Sequence, residues 1–432
     1  MREETESGSP SSGLPDLEAY AAEARAWLEG TTRPRSEGEL SGWGQGSDDV
    51  SVFHDLSDEA EAALLDELMA WQRERYDAGY GAITWPVDLG GAGLPPAYEQ
   101  AYEEQEAGFV TPDSHETFSV THRLVAPTIR VFGTAEQKER FVRRFLRTEE
   151  LCCQLFSEPG AGSDLGGLGT RAVRDGDDWI ISGQKVWSSG ARFSSWGEII
   201  CRTDPEVPKH AGLTAFIIPM DAPGIEVRPI RQMTGGASFN EVFLDEVRVP
   251  DSLRLGDVGA GWKVTMITLA FERMSSGSHQ EGVGGSWRQV LALARELGRT
   301  REPLVRDRLA GLYTLDRVRA YNALRQAAQG GGSDGAPTPA GSIGKLQWTQ
   351  WMTMVSDVVS DLLGPRLVAD TGEWGTYAWA DHVLGAPGYR VAGGSDEIQR
   401  NIIGERVLGL PSEPRVDRGV PYSQTRRPAP PA

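Results

Sequence analysis

Two neighbouring stretches in the middle of the chain combine small residues with a flat aromatic side chain and hydroxyl groups. The first begins at Leu151 and contains SEPGAGSD, and the second is GQKVWSS. Backbone N–H groups of a loop without bulky side chains approach a phosphate or a polar ring edge directly. Trp187 offers a stacking surface, and Ser188 and Ser189 follow it. The two stretches predict a site for a planar, phosphate-bearing ligand such as a flavin, although an ordinary turn beside a core tryptophan fits the spacing too.

Glu272 is a second candidate for chemistry, within the segment KVTMITLAFERMSSGSH. On a helix, residues three, four and seven positions away share its face. Four of those six positions carry hydroxyl side chains, Thr265, Thr268, Ser275 and Ser276, and the other two are Leu269 and His279. A carboxylate among hydroxyls on an otherwise apolar helix predicts a cavity wall. An ordinary solvated glutamate beside Arg273 is the alternative.

The composition limits the class of protein that these residues belong to. A chain of 432 residues with 39% hydrophobic content and 13 Trp predicts a folded protein of two or three units. The formal net charge of −19 disfavours nucleic-acid and anionic-membrane binding, so an anionic ligand needs local Arg and Lys. Three cysteines, two of them adjacent, make no disulfide framework. With a polar N-terminus and only short apolar runs, the chain is predicted to be cytoplasmic.

The hydrophobic pattern divides the chain into three regions between two polar tails. We predict a disordered tail over 1–14, a helical domain over 15–150, and a β-domain over 151–257. A helical bundle over 258–412 and a Pro-rich disordered tail over 413–432 complete the chain. Glycines and prolines between Gly330 and Gly341 predict a flexible connection inside the bundle.

Several motifs together resemble the acyl-CoA dehydrogenase family. Besides SEPGAGSD and GQKVWSS they are, in the order of that family, WPVDLGGAG at Trp85, FGTAEQK at Phe132, PGIEVRPI at Pro223, NEVFLDEVRVP at Asn240, GAGWKVTM at Gly259 and DEIQRNIIGER at Asp396. Singly most are weak, but together they cover nearly the whole chain except its tails. The resemblance implies an α+β fold in which a central β-domain lies between an N-terminal helical domain and a C-terminal helical bundle.

The resemblance also implies an activity. Family members are FAD-dependent enzymes that oxidise an acyl-CoA thioester, or one held on an acyl carrier protein, to the enoyl thioester. They take the α-proton with a glutamate, pass the β-hydride to flavin N5, and deliver electrons to electron-transfer flavoprotein or a similar acceptor. The family pattern implies a homodimer, a homotetramer or a mixed oligomer.

The position of the base distinguishes two subgroups of the family. In much of the family the glutamate lies in the loop before the final helix, where this chain reads YRVAGGSDEIQR and has Gly393. A second subgroup, including enzymes like isovaleryl-CoA dehydrogenase, carries it in a Glu-Arg pair after the β-domain, which matches Glu272 and Arg273 here. The resemblance therefore implies that Glu272 is the base and that Arg273, Gly393, Gly394 and Ser163 contact the substrate. A glycine at 393 leaves room for a bulky, branched or ring-bearing acyl group.

Further positions match family contacts to FAD. By resemblance, one group of cofactor-binding residues follows the ring and the phosphates: Gln154, Phe156, Ser157, Gly162, Ser163, Trp187, Ser188 and Ser189. Ser395 and Glu397 match further FAD positions. Contacts to the FAD of a neighbouring subunit match Arg295, Asp361, Gly364 and Pro365, but the local sequences ARELG and DLLGP depart from the usual motifs.

Two other functions on the same scaffold stay open at this stage. One is a flavin monooxygenase or oxidase, which has no need of the base, and the other is a non-catalytic partner subunit of a mixed oligomer. The six histidines, His54, His115, His122, His210, His279 and His382, show no metal-ligand spacing, so no metal is predicted.

Overall fold

A computed structural model describes residues 13–36, 50, 52–53, 56–277, 284–328, 339–369, 376–415 and 417–425. Within these ranges helices come first, a β-sheet second and further helices last. This order confirms the predicted α+β fold class. Residues 1–12 of the predicted N-terminal tail, 330–338 of the predicted connection, His54 and His279 lie outside the described residues.

The N-terminal helices begin where polar side chains cap their free N–H groups. Asp16 accepts hydrogen bonds from the N–H groups of Glu18 and Ala19, each at 3.0 Å, and Ser57 accepts one from Ala60 at 3.3 Å. The helices are α1 (Leu17–Thr31), α2 (Asp58–Asp77), α3 (Pro96–Glu106), α4 (Glu116–Ser119, π-helical Val120–Val125, Ala126–Phe132) and α5 (Ala135–Gln137, π-helical Lys138–Val142, Arg143–Leu146).

Apolar side chains of α4 and α5 attach this region to the sheet. Ile129 and Phe141 are fully buried in one cluster with Trp196 and Ile217 of the sheet. Burying such residues removes apolar surface from water at about 25 cal/mol per Å². The N-terminal helices therefore hold a defined position over the β-domain.

The β-domain is one mixed sheet of eight strands. Their order is β6-β7-β3-β2-β4-β5-β8, and β1 pairs in parallel with β4. The strands are β1 (Cys152–Leu155), β2 (Arg171–Asp175), β3 (Asp178–Ser189), β4 (Trp196–Arg202), β5 (Leu213–Pro219), β6 (Ile225–Ile230), β7 (Phe239–Pro250) and β8 (Arg254–Leu255). All seven residues of β4 are buried, so this strand forms the centre of the molecule.

The C-terminal helices pack around one long apolar helix. They are α6 (Gly261–Gly277), α7 (Trp287–Glu296), α8 (Pro303–Ala328), α9 (Gly341–Leu363), α10 (Thr376–Tyr389) and α11 (Asp396–Ile402), which continues as a π-helix over Ile403–Val407. Trp351, Met352 and Val355 of α9 are buried in a shared core with Leu312 of α8 and Trp379 of α10. This packing places α9 against α6 and α11, the two helices that carry the site described below.

The segment that follows α11 departs from the sequence-based expectation of a disordered tail over 413–432. Within its described part, Tyr422 is only 5% exposed and its N–H donates to the carbonyl of Val207 at 2.9 Å. Pro421 forms a β-bridge with Pro208. Composition alone suggested disorder because proline and charge dominate the segment, whereas one aromatic side chain is enough to anchor it.

The predicted domain boundaries stay predictions, and the described elements begin close to them. Strand β1 starts at Cys152 and helix α6 at Gly261. The three cysteines, Cys152, Cys153 and Cys201, are free and buried. No helix in the described part of the chain is long and apolar enough to cross a membrane.

Candidate functional site

A buried lysine holds the glycine-rich loop that follows β1. Nζ of Lys185, on β3, lies 3.0 Å from the carbonyl oxygen of Phe156, 2.9 Å from that of Ile200 and 2.9 Å from Oε1 of Glu158. Glu158 also accepts the N–H groups of Gly169 at 2.7 Å and Thr170 at 2.8 Å. Burial favours the neutral acid, but Lys185 and these donors hold the pKa of Glu158 below its ordinary value. The loop is therefore clamped at its start.

Trp187 presents an exposed aromatic surface beside this loop. Its side chain is 59% exposed, and its φ of 62° is a backbone conformation that side chains of its size rarely adopt. The register of β3 against β7 shifts between Lys185 and Ser188, which accompanies this unusual backbone. Strain of this kind is often found at ligand sites. Trp187 and Ser189 line a large cavity, whereas Ser188 is fully buried elsewhere in the sheet.

The residues along this face fit the FAD that family resemblance implies. Within the described structure, Nε2 of Gln154 is buried without a hydrogen-bond partner and is available to a ligand. Side-chain positions at Gly160 and Gly162 open into empty space, so the loop leaves its backbone accessible. Gln154, Phe156, Ser157, Gly162 and Ser163 all line the cavity.

The cavity has a volume of about 2300 Å³ and extends from the glycine-rich loop to Glu272. One stripe of α6 forms its wall, with residues spaced by three or four positions as one helix face requires. These residues are Trp262, Met266, Leu269, Glu272 and Arg273.

Two of the hydroxyl residues predicted to share a cavity wall with Glu272, Thr265 and Thr268, do not line the cavity; Leu269 does, and the side chains of Ser275, Ser276 and His279 lie outside the described part of the structure. Thr265 and Thr268 are fully buried, and Thr268 donates to Oε1 of Glu198 at 2.8 Å. Oγ1 of Thr268 also lies 3.0 Å from Oγ1 of Thr128 on α4. The Thr268 hydroxyl therefore attaches α6 to the sheet and to α4, while Thr265 donates to the carbonyl of Gly261 within α6 and apolar side chains accompany Glu272 in the cavity.

The surroundings of Glu272 favour its neutral form. Burial raises the pKa of Glu272 to about 7; Arg273 and Lys345 oppose the rise, and Glu116 adds to it. Glu116 and Tyr389 line the same cavity, and burial raises the pKa of Tyr389 well above its ordinary value. A carboxyl group with a pKa near neutrality in a partly apolar cavity is suited to accept a proton.

The loop between α10 and α11 lies against this carboxylate. Gly393 and Gly394 have φ values of 64° and 85°, which glycine adopts without steric cost. Nε2 of Gln399 donates to the carbonyls of both residues, at 2.9 and 3.0 Å, and Nζ of Lys345 donates to that of Gly394 at 2.8 Å. A Cβ atom placed on Gly393 would lie 3.0 Å from Oε1 of Glu272.

We expect Gly393→Ala to slow the thioester oxidation that the family resemblance implies by at least about tenfold, since the added methyl group contacts Oε1 of Glu272 closely and displaces it. Gly176→Ala is the matched control, because Gly176 has the same φ of 64° but no atom near its side-chain position. Both variants should lose about 1 kcal/mol of stability from the backbone conformation. Thermal unfolding and single-turnover rates measure the two effects. Equal rates in the two variants would contradict the assignment of the 3.0 Å contact to the reaction.

The remaining residues predicted to contact FAD do not line the cavity. Ser395 caps α11 by accepting the N–H of Ile398 at 3.4 Å, and Glu397 is exposed on the same helix. Four others lie on the exposed surface at the ends of α7 and α9: Arg295, Asp361, Gly364 and Pro365. An exposed position is compatible with contact to a neighbouring subunit, and that role stays a prediction.

Sequence reasoning missed four residues of the site: Glu116, Lys185, Lys345 and Tyr389. Lys185 stands inside a quoted motif, but only the pairing of β1 and β4 beside β3 creates its three acceptors. Glu116, Lys345 and Tyr389 come from three different helices and carry no local signal. In the ranges given above, no group of three or more His, Cys, Asp or Glu side chains is placed to hold a metal ion.

Comparison with protein families gives three matches along the chain. The acyl-CoA dehydrogenase N-terminal domain matches residues 54–149, the middle domain residues 153–247 and the C-terminal domain residues 259–408. Acyl-CoA dehydrogenase IpdE1 of Mycobacterium tuberculosis is 37% identical over 402 residues, which is 93% of this chain and 99% of that protein. The mitochondrial short-chain specific acyl-CoA dehydrogenase of Homo sapiens is 34% identical over 208 residues, 48% of this chain and 50% of the relative.

Solved structures give the same answer. A steroid ACAD named Tcur3481-Tcur3483 has a TM-score of 0.71 at 26% identity and covers 92% of this chain and 98% of its own. The ChsE4-ChsE5 complex from Mycobacterium tuberculosis has a TM-score of 0.68 at 26% identity, over 94% of this chain and 100% of its own.

Proposed function

The chain belongs to the acyl-CoA dehydrogenase family of FAD-dependent oxidoreductases, and we propose that it oxidises the Cα–Cβ bond of an acyl thioester with Glu272 as the base. The observation that carries this proposal is the position of Glu272. Its carboxyl group has a pKa near neutrality and lies against Gly393, in the cavity that also contains Trp187 and the glycine-rich loop.

In this proposal the chain's own residues bind and deprotonate the substrate. The N–H of Gly393 donates to the thioester carbonyl, which acidifies the α-proton, and Oε1 of Glu272 accepts that proton. Arg273 stabilises the carboxylate form, since its charge lowers the pKa of Glu272 against the effect of burial. FAD, when bound by Gln154, Ser157, Trp187 and the loop, supplies the acceptor for the hydride that leaves the β-carbon.

The substrate class that we propose is an acyl-CoA with a bulky alicyclic acyl group. Gly393 has no side chain, so the cavity wall beside Glu272 leaves room for a ring. The structural neighbours named as a steroid ACAD support a polycyclic group. We also propose that a neighbouring subunit, identical or not, completes the cofactor site through the exposed positions on α7 and α9, and that electron-transfer flavoprotein or a similar acceptor reoxidises the enzyme.

Anaerobic titration of the purified holoprotein with a panel of acyl-CoA thioesters tests this function. We expect alicyclic acyl-CoA thioesters to bleach the flavin absorbance and short straight-chain thioesters to bleach it far more slowly. Turnover confined to short straight chains would refute the substrate class. A flavin that no thioester reduces, but that reacts with oxygen after chemical reduction, would indicate a monooxygenase or oxidase instead.

The pH dependence gives a further expected result. Because Glu272 must be deprotonated to accept the α-proton, kcat/KM should rise with pH through about 7 and level off above it. In Glu116→Gln the rising limb should move to lower pH, since the charge of Glu116 raises the pKa of Glu272. Steady-state rates in buffers of constant ionic strength measure both curves. A limb unchanged by Glu116→Gln, or one that falls through pH 7, would contradict this assignment.

A further inference from the structure

The described residues beyond α11, 411–415 and 417–425, form a segment that we call the C-terminal strap. It follows the part of the chain that matches the family's C-terminal domain, which ends at residue 408. The strap returns from the helical bundle to the β-domain and lies along the turn that follows the glycine-rich loop. Neither the sequence pattern nor the family match assigns it a role.

One aromatic side chain anchors the strap to the β-domain. The guanidinium carbon of Arg202, on β4, lies 3.8 Å from the ring centre of Tyr422. Oη of Tyr422 donates to the carbonyl of Gly167 at 3.2 Å, and Nη2 of Arg202 donates to that of Gly166 at 2.6 Å. The N–H of Ser423 donates to the carbonyl of Pro205 at 2.8 Å. The strap therefore holds the same turn that the glycine-rich loop enters.

The strap also forms a wall of the cavity that contains Glu272. Its lining residues are Pro414, Arg415, Asp417, Val420, Tyr422, Gln424 and Thr425. His210 and Trp262 line the same cavity, with ring centres 4.3 Å apart. Trp262 and Glu272 are ten residues apart on α6, which corresponds to roughly 15 Å along the helix axis. A phosphopantetheine arm is an extended chain that bridges a distance of this order.

Two cationic side chains, Lys209 and Arg415, line this far end of the cavity. Nζ of Lys209 lies 2.8 Å from Oδ1 of Asp164 in the glycine-rich loop and 2.6 Å from Oδ2 of Asp417 in the strap. Arg415 is exposed and lies near His210. The pKa of that imidazole is lowered first by burial, then by the charge of Lys209 and then by that of Arg415. The charge of Lys209 is therefore offset by two carboxylates, and Arg415 is the cation at this end on which an anionic ligand depends in a chain with a net charge of −19.

We propose that the C-terminal strap is part of the substrate site, and that Arg415 binds the phosphate groups of coenzyme A while the thioester reaches Glu272. The proposal rests on the proposed function for the identity of the substrate. Lys209 positions the strap through Asp417 and the loop through Asp164, so that one lysine connects both walls of the phosphate end. Arg415 provides the charge that is free to contact phosphate oxygens.

Calorimetric titration of the FAD-loaded protein with coenzyme A itself tests this inference without requiring turnover. We expect Arg415→Gln to weaken coenzyme A binding about five- to twentyfold, the effect of one charge-assisted contact at a partly exposed site. Arg418→Gln is the matched control, because Arg418 is an exposed arginine of the same strap that does not line the cavity. It should change binding by less than about twofold.

A second pair of variants tests the anchoring of the strap. Tyr422→Ala should weaken coenzyme A binding as Arg415→Gln does, and Tyr422→Phe, which keeps the aromatic ring over Arg202, should restore most of it. With an acyl N-acetylcysteamine thioester, which has no phosphate, the KM of Arg415→Gln should equal that of the unchanged protein. The inference would be overturned if Arg415→Gln raised the KM equally for the acyl-CoA and for the N-acetylcysteamine thioester, or if Arg415→Gln and Arg418→Gln weakened coenzyme A binding equally.

Failure of the proposed function gives a different result. If no thioester reduces the flavin, the dehydrogenase assignment fails, but the comparison of Arg415→Gln with Arg418→Gln in coenzyme A binding still decides the role of the strap. A wild-type protein that does not bind coenzyme A at all would refute the strap assignment directly.

Discussion

Glu272→Gln is expected to slow reduction of the flavin by an acyl-CoA thioester by about a hundred- to ten-thousandfold, the usual contribution of a positioned general base. Glutamine keeps the size and shape of the side chain but cannot accept the α-proton. The dissociation constant of the acyl-CoA and the FAD content should change little, because neither depends on the proton acceptor. Rapid-mixing absorbance measurements under anaerobic conditions give the rate.

Glu116→Gln is the matched control for this experiment. Glu116 lines the same cavity and interacts electrostatically with Glu272, yet it has no role in taking the proton. Above pH 8 its rate should stay within about tenfold of the unchanged protein. Equal losses in the two variants would indicate a general requirement for negative charge in the cavity and would remove Glu272 as the base.

Lys185→Met is expected to lower the stability of the β-domain by about 3–5 kcal/mol and to release FAD, since it leaves a largely buried carboxylate without its cation. Two backbone carbonyls, of Phe156 and Ile200, lose a donor in the same step. The glycine-rich loop then loses the clamp at its start. Thermal unfolding and the flavin-to-protein absorbance ratio after gel filtration measure both effects.

Lys263→Met serves as the control for this change. Lys263 is exposed, with Nζ 5.7 Å from the ring centre of Phe132, and its loss should alter stability by less than about 0.5 kcal/mol. Adding Glu158→Gln to Lys185→Met should recover part of the stability, because the uncompensated charge is then removed. Full FAD retention in Lys185→Met would contradict the clamp.

The order of elements was predictable because local patterns determine it. Short apolar runs between Gly, Pro and Asp turns in the stretches that form β3 to β7, and helical spacing in α2, locate these elements without tertiary information. The family resemblance linked Glu272 with the loop around Gly393, because that loop lacks the carboxylate common in the family and the Glu-Arg pair on α6 offers one; the role of Glu272 as the base stays a prediction. Only the folded structure shows that the two are neighbours, since a Cβ atom built on Gly393 would lie 3.0 Å from Oε1 of Glu272.

Other features depend on contacts between distant segments. The spacing of Thr268 places it on the same helix face as Glu272. Its hydroxyl nevertheless donates to Glu198, a buried acid on β4, and not to a group in the cavity. Burial raises the pKa of Glu198 to about 8, so this acid is mostly neutral at pH 7. Most of the strap falls in the tail over 413–432 that was predicted to be disordered because it is Pro-rich, and the Arg202 that binds Tyr422 is more than two hundred residues away in sequence.

The exchange of α-hydrogens in deuterium oxide tests the central claim, proton abstraction by Glu272, most directly. In the dithionite-reduced holoprotein hydride transfer is blocked, so any deuterium found at the α-carbon of a recovered saturated acyl-CoA by mass spectrometry reports the base alone. We expect exchange well above the buffer rate in the unchanged protein and in Glu116→Gln, and exchange at the buffer rate in Glu272→Gln. Undiminished exchange in Glu272→Gln would contradict that claim.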